Sequence, residues 1–531
     1  MKLHALALAL GLSATTSANA WFLPSPTLSL EVIGQHQTGV FDEGAAEVVA
    51  YDPATKRVFK VNAAAANVEV LDLSDPSNPV PMAVIDATAL GASANSVAVK
   101  NGIVAVAIEA TDKQAPGVVA FYNATDLSLI NSVVVGALPD MVTFTPNGKY
   151  AMVANEGEPN DDYTVDPEGS VSIIDLRKGV ASATVKTADF TAYNGMEDAL
   201  RAAGVRIFGP GASAAQDLEP EYITISHDSR TAWVSLQEAN ALAKIDIKKA
   251  KVIDILPLGT KDHSLPGNEL DASNRDDAIN ITNWPTKGMY MPDAIDSYNF
   301  FGKTYIVTAN EGDSRDYDGY SEEERVKDLV LDPTAFPNAA ELQADENLGR
   351  LNSTTANGDT DGDGDVDEIY SYGARSFSIW TTDGKPVFDS GSDFEVITAM
   401  ELPDNFNSTN DENDTFDNRS DDKGPEPEGI AVGTILGKTY AFIGLERIGG
   451  IMVYDITNPY DVKFKTYVNN RDFSVDAQLP DGSVNPLVGD LGPEGLAFIP
   501  WYQSPNLRSL LVVGNEVSGT TTIYQINLDF Q

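Results

Sequence analysis

The chain has no cysteine among its 531 residues. That removes disulfides, thiolate metal sites, iron–sulfur clusters and cysteine nucleophiles from consideration. Positive charge is also scarce: 35 Lys and Arg stand against 79 Asp and Glu, a formal net charge of −44. Nucleic acid and anionic membranes require a basic face, and neither is an expected partner. Histidine is limited to 4 residues, of which His36, His227 and His263 lie beyond the N-terminal segment. A Ser-His-Asp triad has no convincing seat, and no G-x-S-x-G elbow or phosphate-binding glycine loop occurs. Past the N-terminus, no stretch reaches the ~18 apolar residues that a membrane-spanning helix needs. What is present suffices for folding, because 42% hydrophobic residues describe a globular chain rather than a disordered acidic tail.

Residues 1–20 read MKLHALALALGLSATTSANA. Lys2 forms a positive n-region, Ala5 to Leu12 an apolar core too short to cross a bilayer, and Ala18-Asn19-Ala20 a small-x-small cleavage site. A signal peptide cleaved after Ala20 is expected, with a buried N-terminal helix as the alternative. The C-terminal IYQINLDFQ carries no sorting motif. A secreted or periplasmic product without a membrane span is expected, as a monomer with residues 21–531 forming one domain.

Within that domain a two-strand pattern recurs. An acidic or Pro-acidic opening leads through an apolar strand and a turn into a second apolar strand, often ending in Asn-Glu. Copies start at Ala45, Ala94, Leu138, Glu219, Met291, Glu426 and Gly492. The third reads LPDMVTFTPNGKYAMVANEGEP and the last opens GPEGLAFIP. Turns such as Pro146-Asn147-Gly148-Lys149 hold residue types that accept positive φ between strands. A solenoid or a pair of sandwiches can use such strands, but repeated copies of one short pattern favour an all-β, seven-bladed β-propeller. The last copy lacks a fourth strand, whereas LSLEVIGQH at Leu28–His36 stands unpaired before the first. It is expected to supply the outer strand of the last blade and close the ring.

A blade needs ~40–45 residues, which leaves a large surplus at about 177–216, 257–290, 313–372, 400–425 and 465–490. These insertions fall in two loop classes that emerge on the same face of a four-stranded blade, so they should cap one mouth of the channel. Function is expected there. The residues opening the first strands, Glu47, Asn95, Asp140, Glu221, Asp293, Glu428 and Glu494, should line the channel at that mouth. Those ending the second strands, Glu109, Glu156, Glu238, Glu311, Glu446 and Glu516, should join them. Up to a dozen carboxylates would then converge, repelling one another unless cations intervene. Hard oxygen ligands suit Ca²⁺ best, with Mg²⁺ or Mn²⁺ admissible. Alternatively, the acids cap strand ends or pair with Arg315, Arg375 and Arg447.

The largest insertion contains DTDGDGDVDEIY at 359–370. Asp359, Asp361 and Asp363 occupy positions 1, 3 and 5 of an EF-hand-type loop, Gly364 the turn, Asp365 position 7 and Asp367 position 9. Position 12 is Tyr370 instead of a bidentate Glu, and no helices flank the loop, so an isolated calcium loop that holds the insertion in place is expected. A weaker cluster, Asp411, Glu412, Asp414 and Asp417, is expected to face solvent.

For catalysis, metal-assisted chemistry remains. The carboxylates, Glu311 among them, would hold ions, while Arg315, Arg375 and Arg447 grip an anionic group and His263 acts as ligand or proton donor, or else is a plain loop histidine. Phosphate-ester hydrolysis of a phosphorylated small molecule fits that equipment, provided bound cations invert the local field. A non-catalytic protein that holds calcium or a mineral surface fits the same acids.

The motifs MVTFTPNGKYAMVANEGEP at Met141, KDHSLPGNELDAS at Lys261, MPDAIDSY at Met291, TANEGDSRDY at Thr308, DTDGDGDVDEIYSYGARSFSIW at Asp359 and GPEGLAFIP at Gly492 together resemble the choice-of-anchor I family. More distantly they resemble mesenchyme-specific cell-surface glycoproteins associated with biomineralisation. The resemblance implies a secreted or surface β-propeller, and bacterial members are often labelled alkaline phosphatase. The varied C-terminal anchors that give the family its name are not expected from the closing IYQINLDFQ, which favours the periplasm or medium over the cell surface. The plan, though not the motifs, is also similar to that of calcium-dependent propeller phytases.

Overall fold

The computed structural model describes residues 27–529; the expected signal peptide lies outside the described residues. The chain is all-β and propeller-like. Among the described residues are seven antiparallel sheets of four strands. Sheet 1 takes Val49–Asp52, Arg57–Asn62, Asn67–Asp72 and Val80–Asp86 in chain order. Sheets 2 to 6 open on Ser93–Lys100, Pro139–Phe144, Ile223–Ile225, Ile295–Phe300 and Pro427–Ile435. Sheet 7 consists of Pro493–Ile499, Leu510–Asn515, Thr520–Asp529 and, outermost, Thr27–Gln37. Thr27 lies opposite Asp529 and Gln37 opposite Thr520, so an N-terminal strand covers the edge that the last sheet would otherwise expose.

No single core lies at the centre. Apolar side chains instead fill seams between successive sheets, and alternation along each strand divides them between two seams. Leu511 and Val513 pack with Tyr440 and Phe442 of sheet 6. Their neighbours Leu510 and Val512 pack with Val58 and Leu71 of sheet 1. A strand buried on both faces reads as a continuous hydrophobic run, as LLVV does here. Each large aliphatic side chain buried in this way contributes roughly 1.5–3 kcal/mol. The first strand of every sheet touches that of the next, and Pro493–Ile499 touches Val49–Asp52. At this junction Gly514 is required, since a Cβ there would lie 2.0 Å from the Glu47 carbonyl oxygen.

The 257–290 and 313–372 insertions share an apolar core of their own, whereas 177–216 packs against sheets 3 and 4. Leu270, Val326, Leu331, Phe336, Leu348 and Ile369 build a separate apolar cluster. A three-stranded sheet of Thr260–Asp262, Thr286–Met289 and Ile369–Ser371 ties the 257–290 and 313–372 segments together. Two insertions are shorter than expected, because 177–216 contains the fourth strand of sheet 3, Thr184–Asp189, and 465–490 begins inside Lys463–Val468. Among the described residues, no helix is long and apolar enough to cross a membrane.

Candidate metal centre

The recurring Asn-Glu divides its labour. Asn155, Asn310 and Asn515 end second strands and are buried. Their Nδ2 groups donate to the third strand, at Ser172 Oγ (2.9 Å), Ser378 Oγ (2.8 Å) and Thr520 Oγ1 (3.1 Å). The asparagine thus holds the sheet together, and the following glutamate lies beyond the strand ladder. After Glu311 the chain turns at Gly312, with φ +90°, where a Cβ would meet the Gly373 nitrogen at 2.1 Å.

The acids from different sheets do converge. Burial in the channel wall, then the charges of Glu516 and Asp140, push the Glu47 carboxyl up to about 8. Burial, then Glu158, pushes Asp140 up to about 7. Asp293 is raised well above the carboxylate range by burial, Glu311 and Asp140. Glu494 is raised likewise by burial, Glu47, Glu516, Asp293 and Asp140, so acids of three other sheets and one of its own bear on it. Burial also raises Glu156, Glu221, Glu238, Glu428, Glu446 and Glu516. Among the described residues, only Glu311 and Glu446 of this set form salt bridges, with Lys423 (2.8 Å) and Arg447 (2.9 Å).

Two carboxylate triads stand out, and they share Glu311. Oxygens of Asp293, Glu311 and Glu428 lie within 4.8 Å of one another, as do oxygens of Glu311, Glu426 and Glu446. The second triad carries its own cations. Glu426 accepts from Arg419 Nε (3.0 Å) and Arg447 Nε (2.9 Å) and lies 3.2 Å from Lys423 Nζ. Burial alone would raise its pKa, but Lys423, Arg419 and Arg447 hold it far below the usual range. The first triad has only Lys423, through Glu311, and Glu428 Oε2 is buried with no hydrogen-bond partner. At these separations each ionised pair repels by on the order of 3 kcal/mol at an effective dielectric of ~20. Lys423 offsets part of this repulsion at Glu311, whereas at Asp293 and Glu428 burial and the neighbouring acids favour the protonated form unless a cation binds.

The residues expected to serve catalysis are placed differently. Arg315 is 1% exposed, bonded to Asp217 and Glu219 and stacked 4.6 Å over the Phe208 ring. Arg375 donates to Glu395 (2.7 Å) and to the carbonyls of Asp271, Ser420 and Asp422. Both guanidiniums anchor the cap to the sheets, so neither is free to grip an anion. His263 is 2% exposed, its Nδ1 lies 2.6 Å from the Asn268 carbonyl oxygen, and burial lowers its pKa. It belongs to the cap fold and not to the channel. Of the three arginines only Arg447 reaches the acids, between Glu426 and Glu446. Sequence reasoning missed Lys423, Arg419, Glu426 and Gln237, whose Nε2 donates to Glu311 Oε2 (3.1 Å). The signal for the first three was a pair of basic residues in the acidic run NRSDDKGPEPEG.

In the aspartate loop, oxygens of Asp359, Asp361 and Asp367 lie within 4.8 Å of one another. The Asp359 carboxylate accepts from the Gly362 (2.7 Å) and Gly364 (3.1 Å) nitrogens, which fixes the loop's curl. Asp365 and Asp367 form a second group with Asp332, which the Leu331–Val366 bridge brings alongside. Asp363 lies outside both groups and accepts from the Asp365 nitrogen (3.3 Å). Tyr370 points to Glu368 (2.6 Å) instead of completing a ligand set. Asp411, Glu412 and Asp414 line an open groove between insertions. Asp417, expected in solvent, is 3% exposed because it folds under the 402–424 segment against Ser420.

With this geometry in place, the known proteins that the chain matches can be set beside it. The choice-of-anchor I domain matches residues 47–459. Gigasin-3a of Magallana gigas is 33% identical over 190 residues, 35% of this chain and 66% of that protein. The mesenchyme-specific cell surface glycoprotein of Strongylocentrotus purpuratus is 26% identical over 348 residues, 58% of this chain and 44% of that protein. The match thus spans less than two thirds of either relative. The beta-propeller domain of Myceliophteria thermophila Cps50 (Swd1) superposes with a TM-score of 0.45 at 8% identity, covering 94% of this chain and 100% of that one. Kuenenia stuttgartiensis Hydrazine Synthase gives 0.46 at 12% identity, covering 92% and 97%. At such scores the architecture rests on this chain's own strand pairing.

Proposed function

The chain belongs to the choice-of-anchor I family, and from that premise we propose an exported, seven-bladed β-propeller that binds divalent cations at its capped channel mouth. One observation carries the reading: Asp293, Glu311 and Glu428 bring oxygens within 4.8 Å of one another, with Glu428 Oε2 buried and unpartnered. An all-oxygen site of this charge suits Ca²⁺, with Mg²⁺ or Mn²⁺ as smaller alternatives. The aspartate loop at 359–367 is a separate Ca²⁺ site that stiffens the largest insertion. The signal-like N-terminus, and a relative named for the cell surface, support a place outside the cytoplasm, in the periplasm or the medium.

Binding, of calcium or of a mineral surface, is favoured over phosphoesterase chemistry by where the cationic groups sit. In metal-assisted ester hydrolysis the bound ions grip the substrate, and the three arginines expected to help them are engaged elsewhere. Arg315 and Arg375 are spent inside the cap, and Arg447 is shared by two acids. Purified protein with Ca²⁺, Mg²⁺ or Mn²⁺ is expected to bind several ions and leave a generic phosphomonoester intact. Turnover that disappears in both Glu428→Gln and Arg447→Ala would establish the hydrolase instead. Failure to bind any divalent ion would remove both readings.

A further inference from the structure

Away from the channel, the cap buries a second group of oxygens. Asp271 is 0% exposed, Glu395 1%, Asn407 0% and Asp417 3%. Most of their hydrogen bonds are accounted for. Arg375 and Asn407 Nδ2 donate to Glu395 Oε1 at 2.7 and 3.0 Å. Asn407 Nδ2 also donates to Ser420 Oγ (2.9 Å), and Ser420 Oγ donates to Asp417 Oδ1. Asp271 accepts from the Asn280 and Ser273 nitrogens. Two acceptors are left over, Asn407 Oδ1 and Asp417 Oδ2, both buried with no donor. The charges that bear most on Asp417 are the acids Asp271, Asp276 and Glu395, while Arg375 is engaged with Glu395 and the Ser420 carbonyl.

We propose that a calcium-type divalent cation binds in the cap at Asp417 Oδ2 and Asn407 Oδ1, beside Asp271, and fastens the 402–424 segment to the 271–280 turn. A buried carbonyl-type oxygen and a carboxylate, both short of donors in acidic surroundings, are what a hard cation satisfies and a lysine or arginine here does not. Crowding acts in the same direction, since burial first, then neighbouring acids, push Asp417 up to about 8, and burial raises Asp271 to about 7. The position matters because the fastened segment also carries Arg419 and Lys423, the cations that pair with Glu426 and Glu311. A cation in the cap would therefore hold Lys423 against Glu311 from outside the channel.

A proton on Asp417 shared with Asn407 satisfies the same two atoms, and the test separates the two. In a full-length chain carrying Asp361→Ala and Glu428→Gln, which weaken the loop and channel sites, Ca²⁺ is counted by native mass spectrometry and amide exchange is followed over 404–423. The cap site predicts that adding Asp417→Asn removes one further Ca²⁺, and that Ca²⁺ slows exchange at 404–423 by tenfold or more only while Asp417 is present. An unchanged count together with Ca²⁺-indifferent exchange would overturn it in favour of the proton. If Asp417→Asn does not fold, the Ca²⁺ response of 404–423 in the double variant decides alone: slowing supports the site and indifference overturns it.

Discussion

The two triads that meet at Glu311 have the same ligand chemistry and opposite electrostatics. Glu426 and Glu446 lie against Lys423, Arg419 and Arg447; Arg419, Lys423 and Glu426 come from the insertion and the turn that follows it, Glu446 and Arg447 from the turn after Lys438–Leu445. Asp293 and Glu428 come from the openings of first strands, face the channel, and have no salt bridge among the described residues. The difference shows how one acidic ring can be part structure and part site. Where the cap reaches in with fixed cations, a carboxylate is held ionised and acts as a strut. Where it does not, the carboxylates are pushed toward protonation, and on the proposed reading a divalent cation takes the protons' place.

The broadest way to sharpen that contrast is pH. A carboxyl whose pKa is raised by folding stabilises the fold while it is protonated, and that contribution is lost as pH climbs through the folded value. In chelator, thermal stability should therefore fall from about pH 4 through the values of Asp140 near 7 and Glu47 near 8. Saturating Ca²⁺ should flatten the decline. A melting temperature that rises over this range in chelator would break the account of the uncompensated half. Next in size, Lys423→Met removes the ammonium that Glu311 and Glu426 share, and should cost about 3–5 kcal/mol in chelator, read from denaturant melts. Glu428→Gln should have the opposite sign, stabilising the metal-free protein by about 1 kcal/mol while weakening Ca²⁺ binding at least tenfold by calorimetry. Equal signs for these two substitutions would erase the distinction between strut and site. Smallest of all, Asp361→Ala should lower the Ca²⁺ count by one and leave the chelated melt unchanged, as suits an exposed loop.

The fold was legible because its logic is local and repeated. Strands such as LLVVGN and YAMVAN carry apolar residues on both faces, turns follow at fixed offsets, and the unpaired LSLEVIGQH had one edge left to cover. The ring of acids was legible for the same reason, since Glu47, Asp140, Glu221, Asp293, Glu428 and Glu494 recur at one register position. The cap was not. Arg315 and Arg375 sit near strand ends, as a substrate-gripping arginine would, but what they touch lies up to 98 and 104 residues away in insertions without a repeating pattern. Lys423 and Asp332 escaped notice likewise, as one insertion must fold onto a strand end to bring Lys423 to Glu311, and another back onto itself to bring Asp332 to Asp365 and Asp367. Repeats reveal what each copy does in common; insertions decide which copies are free to bind.

The most direct test is a crystal structure of the full chain grown with Sr²⁺, examined by anomalous scattering. The account predicts a peak between Asp293, Glu311 and Glu428 that disappears in Glu428→Gln, and none in the triad that Lys423 and Arg447 already neutralise. Anomalous density confined to the 359–367 loop, with the channel acids free of any ion, would contradict it.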